Sequence, residues 1–278
     1  MEGMGMGSSP RSEDYVLRGG QAGAERLRLL NRVKWPTTEP LLRAAGLRSG
    51  MSCLDVGCGG GDVTRKLATL VGTEGRVVGV DRDESILRLA RKEADDQGLQ
   101  VTFRTLEAER LAEESAYDLV FARYLLSHLP RSQRALEAMV RAARPGGRVV
   151  LEDVYFPGHL CYPSNAAFDR FVELYQAAAR VNEDGDAAIG VRLLEMALAA
   201  GLVEVRVGLV VPTFREGEGK RVTQVTMEHI REAVVGAGLA SDREVDDVVG
   251  ELGRLADDDT TLMSMAPTFQ VWGLKAGA

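Results

Sequence analysis

The sequence predicts an α/β fold in which a doubly wound parallel sheet carries helices on both faces. Three observations predict it. Between Cys53 and Leu151, short apolar segments alternate with stretches of helical periodicity. The first apolar segment runs into a glycine-rich turn, Gly57-Cys58-Gly59-Gly60-Gly61. The second ends on an acid, Asp81, about twenty residues beyond that turn.

The elements follow in order. Leu27, Leu30 and Val33 recur at helical spacing as far as Trp35, where Pro36 breaks the pattern. Thr38 is placed to cap a second helix through Ala45, closed by Gly46. Strands are expected over Cys53 to Val56, Arg76 to Val80, Val101 to Phe103, Tyr117 to Phe121 and Gly147 to Leu151. Between them lie helices over Val63 to Val71, from a cap at Asp83 to about Gln97, and over Gln133 to Ala143. The turn Pro145-Gly146-Gly147 stops the last of these. Beyond strand five the rhythm changes. A helix begins at Ser164 with Phe168, Phe171, Val172 and Tyr175 on one side, and another covers Ile189 to Ala200. Val203 to Val211 reads as a long strand. Helices follow over Met227 to Ala237 and Asp242 to Leu255, the second opened by the capping box Ser241-Asp242-Arg243-Glu244. Thr268 to Leu274 is the final strand.

With 278 residues, 45% of them hydrophobic, the chain can bury one large domain or a domain with a substantial insertion. The net charge is −7, and acidic residues interrupt the basic ones throughout. No basic stripe is available to neutralise phosphates, so nucleic acid is not an expected partner. The first fourteen residues are rich in Gly, Ser and Met without an apolar core and read as a disordered tail rather than a signal. No apolar run is long enough for a bilayer, so no membrane partner is expected. Cys53, Cys58 and Cys161 lack metal spacing, and His128, His159 and His229 are too dispersed for a zinc motif. The expectation is a cytoplasmic protein with reduced thiols and no metal.

The glycine turn carries the chemistry. Glycines let the backbone take positive φ and let a ligand approach without a Cβ in the way. Asp81 can accept the ribose hydroxyls of an adenosine ligand. Asp55, two residues before the first glycine, and Asp62 at the start of the helix would repel a pyrophosphate. They suit a ligand with a cationic end, such as S-adenosylmethionine (SAM), and disfavour a nicotinamide dinucleotide, whose loop prefers Gly or Ala where Asp62 stands.

Leu54 to Gly61 resembles motif I of class I SAM-dependent methyltransferases, D-x-G-x-G-x-G. Val77 to Asp81 resembles their second motif, and Val101 to Glu109 their third-strand segment, with Glu107 where Asp is commoner. Tyr117 to Arg123 resembles the fourth-strand motif, and Arg144-Pro145-Gly146-Gly147 the turn before strand five. The likeness spans about residues 50 to 152 in order, and the terminal strands complete it. It implies a Rossmann-like sheet of seven strands, the last antiparallel, with helical cap insertions over about 156–182 and 217–257. Residues 15–50 would then form N-terminal cap helices before a methyltransferase domain over 51–278. The implied cofactor contacts are Tyr15, Asp55, Gly57, Cys58, Gly59, Gly61, Asp81, Arg82, Leu106, Glu107, Ala108 and Arg123. Tyr15 leads the segment to Gly20, which reads as a lid over the cofactor.

Three residues are candidates for acid–base or positioning work. His128 follows the fourth strand, and Glu152 and Asp153 end the fifth, where such sheets bind substrates. Phe168, Phe171 and Tyr175 would cap a hydrophobic acceptor. The relatives implied are small-molecule methyltransferases of the ubiquinone/menaquinone-biosynthesis type and of bacterial natural-product pathways. Methyl transfer to O, N or C of a hydrophobic small molecule is the expected activity, with C-methylation of an isoprenoid alkene one form of it, as in the similar teleocidin-type enzymes. Two alternatives stay open, an NAD-dependent oxidoreductase and a non-catalytic SAM-binding protein. The chain is expected to act alone or as a homo-oligomer.

Overall fold

The computed structural model describes residues 20–277. The expected tail over 1–14 and Tyr15 to Gly19 lie outside the described residues. The chain opens with α1 (Gly20–Ala44) and then alternates β1 (Ser52–Val56), α2 (Asp62–Val71), β2 (Arg76–Asp81), α3 (Glu84–Asp96), β3 (Val101–Thr105), β4 (Tyr117–Arg123), α4 (Ser132–Ala142) and β5 (Ala143–Val154). A short β6 (Cys161–Tyr162), α5 (Ala166–Glu183), α6 (Leu193–Ala199) and β7 (Leu202–Val210) follow. The chain continues through β8 (Thr213–Phe214), α7 (Arg221–His229), α8 (Arg231–Gly236), α9 (Asp242–Asp257), β9 (Leu262–Ser264) and β10 (Thr268–Lys275).

Seven strands form one sheet in the order β3-β2-β1-β4-β5-β10-β7. The first five are parallel, and β10 runs antiparallel to both β5 and β7. This is the Rossmann-like sheet with an antiparallel last strand that the motifs imply. Side chains alternate across it with the period of the strand. Leu54 and Val56 enter a core shared with α4 and α6, while Cys53 packs on the other face with α1 and α2. Asp55 follows the parity of Cys53, so its carboxylate meets Thr64 of α2.

A second core lies beyond the carboxyl end of the sheet. Phe168, Phe171 and Leu174 of α5 pack there with Met227, Val234, Val245, Val248 and Leu252 of α7, α8 and α9. Beneath them lies a three-stranded antiparallel sheet, β6-β9-β8, whose strands are too short to leave a periodic signal in the sequence.

Several boundaries differ from the sequence expectation. The two helices expected before strand one are a single helix with Pro36 and Pro40 inside it. An interior proline removes a backbone donor and costs about 3 kcal/mol. Contacts from outside hold this helix through both prolines. Thr38 Oγ1 donates to Glu152 Oε2 at 2.7 Å, Gln270 Nε2 donates to the Thr37 carbonyl at 3.2 Å, and Leu41 and Leu42 are buried. The helix expected over 227–237 starts earlier and breaks at Ile230 into α7 and α8. The helix expected to begin at Ser164 begins at Ala166, capped by Asn165, whose side chain reaches the Ala167 and Phe168 amides. Residues 189–192 form a tighter 3-10 turn ahead of α6. Ser241 caps α9, with Glu244 N–H donating to Ser241 Oγ at 3.2 Å, while the Glu244 carboxylate accepts from Arg170 Nε at 2.8 Å.

Candidate active site

The turn after β1 is folded by its own hydrogen bonds. Gly57 and Cys58 N–H both donate to the Val80 carbonyl, at 2.8 and 3.0 Å, which pins the turn to the end of β2. Two glycines are required by geometry. Gly57 has φ +70°, and a Cβ there would lie 2.7 Å from Leu125 Cδ1. Gly61 has φ +72°, and a Cβ would lie 2.7 Å from Phe103 Cζ. Burial and the neighbouring Asp55 and Asp81 push the Cys58 thiol well above its ordinary value, which disfavours the thiolate.

Asp55 is buried, 2% exposed, with one hydrogen bond, from Thr64 Oγ1 at 2.6 Å. It makes no ion pair within 4 Å among the described residues. Burial pushes its carboxyl up to about 6, and the charges of Asp81 and Asp62 add to that. Asp81 Oδ2 accepts Gly59 N–H at 2.8 Å and Oδ1 accepts Asp83 N–H at 3.0 Å, so this acid also fixes the loop that a ribose would meet. Burial raises its pKa as well. Asp62 opens α2 and lines the cavity, as its place in the sequence implies. It pairs with Arg65 at 3.0 Å on its own helix, so its charge is already met.

A cavity of about 1780 Å³ runs from this loop to the second core. Asp55, Gly57, Cys58, Gly59, Asp81, Arg82, Leu106, Glu107, Ala108, Arg123 and His128 line it. Gly61 is outside the lining and serves the turn. Glu107 is exposed at the rim and pairs with Arg110 at 2.9 Å, which ties it to a neighbour on its own turn. The Arg123 guanidinium donates to Thr38 Oγ1 and Asn31 Oδ1, both at 3.1 Å, and so joins β4 to α1. Tyr15 lies outside the described residues.

Glu152 and Asp153 are not in the cavity wall, contrary to the sequence reading. Successive strand residues face opposite sides, and each carboxylate is enclosed there. Glu152 accepts from Thr38 and from Gln270 Nε2, the latter at 2.8 Å. Asp153 accepts the Ser127 and Val154 amides at 3.1 and 2.9 Å, and burial raises its pKa. Phe171 and Tyr175 line the cap end of the cavity, whereas Phe168 is core.

Sequence reasoning missed a buried polar group beside the site. Lys34 Nζ donates to Thr268 Oγ1 at 3.1 Å, and Tyr124 Oη lies 3.0 Å from the same hydroxyl. Burial lowers the Lys34 ammonium to about 8. Tyr124 holds φ +54°, an uncommon conformation for a side-chain-bearing residue, at the end of β4 in the cavity wall. Apparent proline termination hid Lys34. Phe156 and His159 were missed also, because nothing periodic marks the turn that holds them. Among the described residues there is no cluster able to hold a metal ion and no helix long and apolar enough to cross a membrane.

The chain is 33% identical over 130 residues to a ubiquinone/menaquinone biosynthesis C-methyltransferase of Yersinia enterocolitica, covering 46% of this chain and 51% of that protein. It thus spans about half the length of the curated relatives it matches. Among solved structures, YcgJ of Bacillus subtilis matches with a TM-score of 0.57 at 17% identity, over 86% of this chain and 98% of that one. A Haemonchus contortus phosphoethanolamine N-methyltransferase in complex with S-adenosyl-L-methionine also matches at 0.57 and 17% identity, over 91% of this chain and 57% of that one. These likenesses are of fold. The model of a methyltransferase domain matches residues 47–193, more than half of the chain, from the turn before β1 through β5 to the start of α6, and the chain therefore belongs to the methyltransferase-domain family.

Proposed function

We propose that this protein is a SAM-dependent methyltransferase that methylates O, N or C of a hydrophobic small molecule of secondary metabolism. One observation carries the reading. A buried acid, Asp55, sits without an ion-pair partner among the described residues, in a cavity that continues to an aromatic cap. SAM brings an ammonium and a sulfonium to such a site, and its sulfonium supplies an already activated methyl group. The residues present fit it. Glycine positions leave room along the loop, Asp55 offers charge to a cationic end, and Asp81 keeps lone pairs for ribose hydroxyls beside its two backbone donors. The protein's own task is alignment. The loop fixes the donor, and Phe171 and Tyr175 exclude water and seat the acceptor. Such orientation supplies up to about 7–11 kcal/mol in favourable cases. His128 stands in the cavity wall as the residue able to take a proton where the acceptor must lose one. The quinone-pathway relative, a C-methyltransferase by name, supports a hydrophobic acceptor. The domain plan goes with this reading: residues 51–278 act as the transferase unit, with the segments about 156–182 and 217–257 as its cap.

Titration calorimetry with SAM, S-adenosylhomocysteine (SAH) and NAD tests it. SAM and SAH are expected to bind with affinities on the order of micromolar, near 8 kcal/mol. NAD is expected not to bind, and tight NAD binding without SAM binding would sink the reading. Formation of SAH with a hydrophobic acceptor separates a transferase from a protein that only binds SAM.

A further inference from the structure

We propose that the cap end of the cavity is an acceptor subsite for a planar apolar ring bearing a hydroxyl or N–H group, whose hydrogen bond is received by His159 Nε2. This rests on the methyl-transfer reading only in taking that end of the cavity as the acceptor's place.

His159 lies in the turn between β5 and β6, and its Nδ1 is 2.9 Å from the Phe156 carbonyl oxygen. A carbonyl only accepts, so Nδ1 carries the hydrogen. In a neutral imidazole the other nitrogen is then an acceptor with no hydrogen of its own. Burial lowers the ring's pKa to about 4, so it stays neutral at ordinary pH and keeps that tautomer. Nε2 has no partner among the described residues, and His159 lines the cavity. The structure therefore holds one fixed, uncharged acceptor in this wall.

The surroundings set the rest of the ligand. The His159 ring is 4.3 Å from Phe156, 5.9 Å from Phe171 and 6.0 Å from Phe168, centroid to centroid. Phe156 stacks on Tyr175 at 3.8 Å with 5° between the planes. Val154 and Met265 add apolar wall. Rings held at fixed angles favour a flat apolar body placed by stacking or edge contact. A ligand of that shape without a donor would strip water from Nε2 and give nothing back, so a site of this kind rejects it. A methyl ether keeps the ring of the corresponding alcohol, replaces the hydroxyl hydrogen with a methyl group and so lacks its donor. The subsite thus favours a hydroxylated ring over its ether.

The test uses 2-naphthol and 2-methoxynaphthalene as probes, titrated calorimetrically into the full chain with and without SAH. The wild type is expected to bind the naphthol on the order of tenfold more tightly than the ether. In His159→Phe the preference is expected to vanish, with SAH affinity and melting temperature kept. His159→Asn, whose Nδ2 keeps a donor for the Phe156 carbonyl while its Oδ1 acceptor falls short of the Nε2 position, is expected to lose it too and serves if the first variant does not fold. Equal binding of the two probes by the wild type overturns the proposal. So does a preference that survives both substitutions, or a protein that binds SAH and neither probe. Failure of the wild type to bind SAH overturns the methyl-transfer reading instead, and the preference measured without SAH still decides this one.

Discussion

Thr64 Oγ1 is the hydrogen-bond donor to Asp55, and burial holds that carboxyl at about 6 against an ordinary 3.8. The folded-state pKa lies above the unfolded one. Without ligand, the stability linked to this group is fully present below about 4 and is lost as pH rises through about 6. Cation binding runs the opposite way, because the ammonium of SAM gains from the ionised form. Affinity for SAM is expected to rise as pH rises through about 6. Asp55→Asn should flatten most of that slope and weaken binding by about 1.5–3 kcal/mol, the worth of a hydrogen bond to a charged group. The unliganded melting temperature at neutral pH should hold or rise, since a desolvated charge is removed. Asp62 and Asp81 are shifted the same way by burial, so a residual slope remains. Calorimetry across the pH range checks this, and a wild-type slope in the variant would place Asp55 out of contact with the ligand. Asp55 and Asp81 were both legible from their places near strand ends as candidates for the cavity wall, which they line. Which carboxylates were already satisfied was not readable. Asp153 looks as available in the sequence as Asp55 does, and only the fold supplies it with two backbone amides, one of them from Ser127, whereas the Arg65 partner of Asp62 lies three residues on in its own helix.

At the scale of elements, α1 is the least expected piece and the most consequential. Its prolines sit in mid-helix, and its polar residues are tied to the far half of the sheet. Thr38 serves two charged groups at once, donating to Glu152 and accepting from Arg123. Thr38→Val keeps the shape and removes both bonds. A destabilisation of about 1–3 kcal/mol is expected, since a buried carboxylate loses one of its donors. Denaturant unfolding measures it, and hydrogen exchange should show α1 loosened more than β1 or β4. An effect below about 0.5 kcal/mol, the size typical of an uninvolved surface site, would show that the Thr38 hydroxyl adds nothing to what holds α1. Elements with a clean local signal needed no such help. The caps at Asp83 and Ser241 form, because the amides they accept lie within three residues.

For the molecule as a whole, the cavity between the sheet's core and the cap's core makes ligand and stability one question. A ligand that bridges them binds only the folded chain. SAH at about one hundred times its dissociation constant should add about 2.7 kcal/mol. That corresponds to a rise of roughly 5–10 °C in melting temperature, at about 2–4 °C per kcal/mol for a chain of this order of size. NAD at the same concentration should leave the melting temperature unchanged. A scanning thermal assay reads both, and equal shifts would argue against discrimination by the acidic loop.

The sequence by itself determined the strands of the main sheet and the glycine turn with Asp55 and Asp81, because these follow from local periodicity and from backbone freedom at glycine, while the antiparallel last strand came with the resemblance to class I methyltransferases. The tertiary structure decided everything that depends on who meets whom across the chain. It ran one helix through two prolines because Glu152, Gln270 and Arg123 come to meet it. It enclosed Glu152 and Asp153, left Phe168 in the core, and set His159 beside Phe156 and Phe171 in the cavity wall. Those outcomes rest on contacts between residues far apart in sequence, and such contacts leave no period or spacing to read.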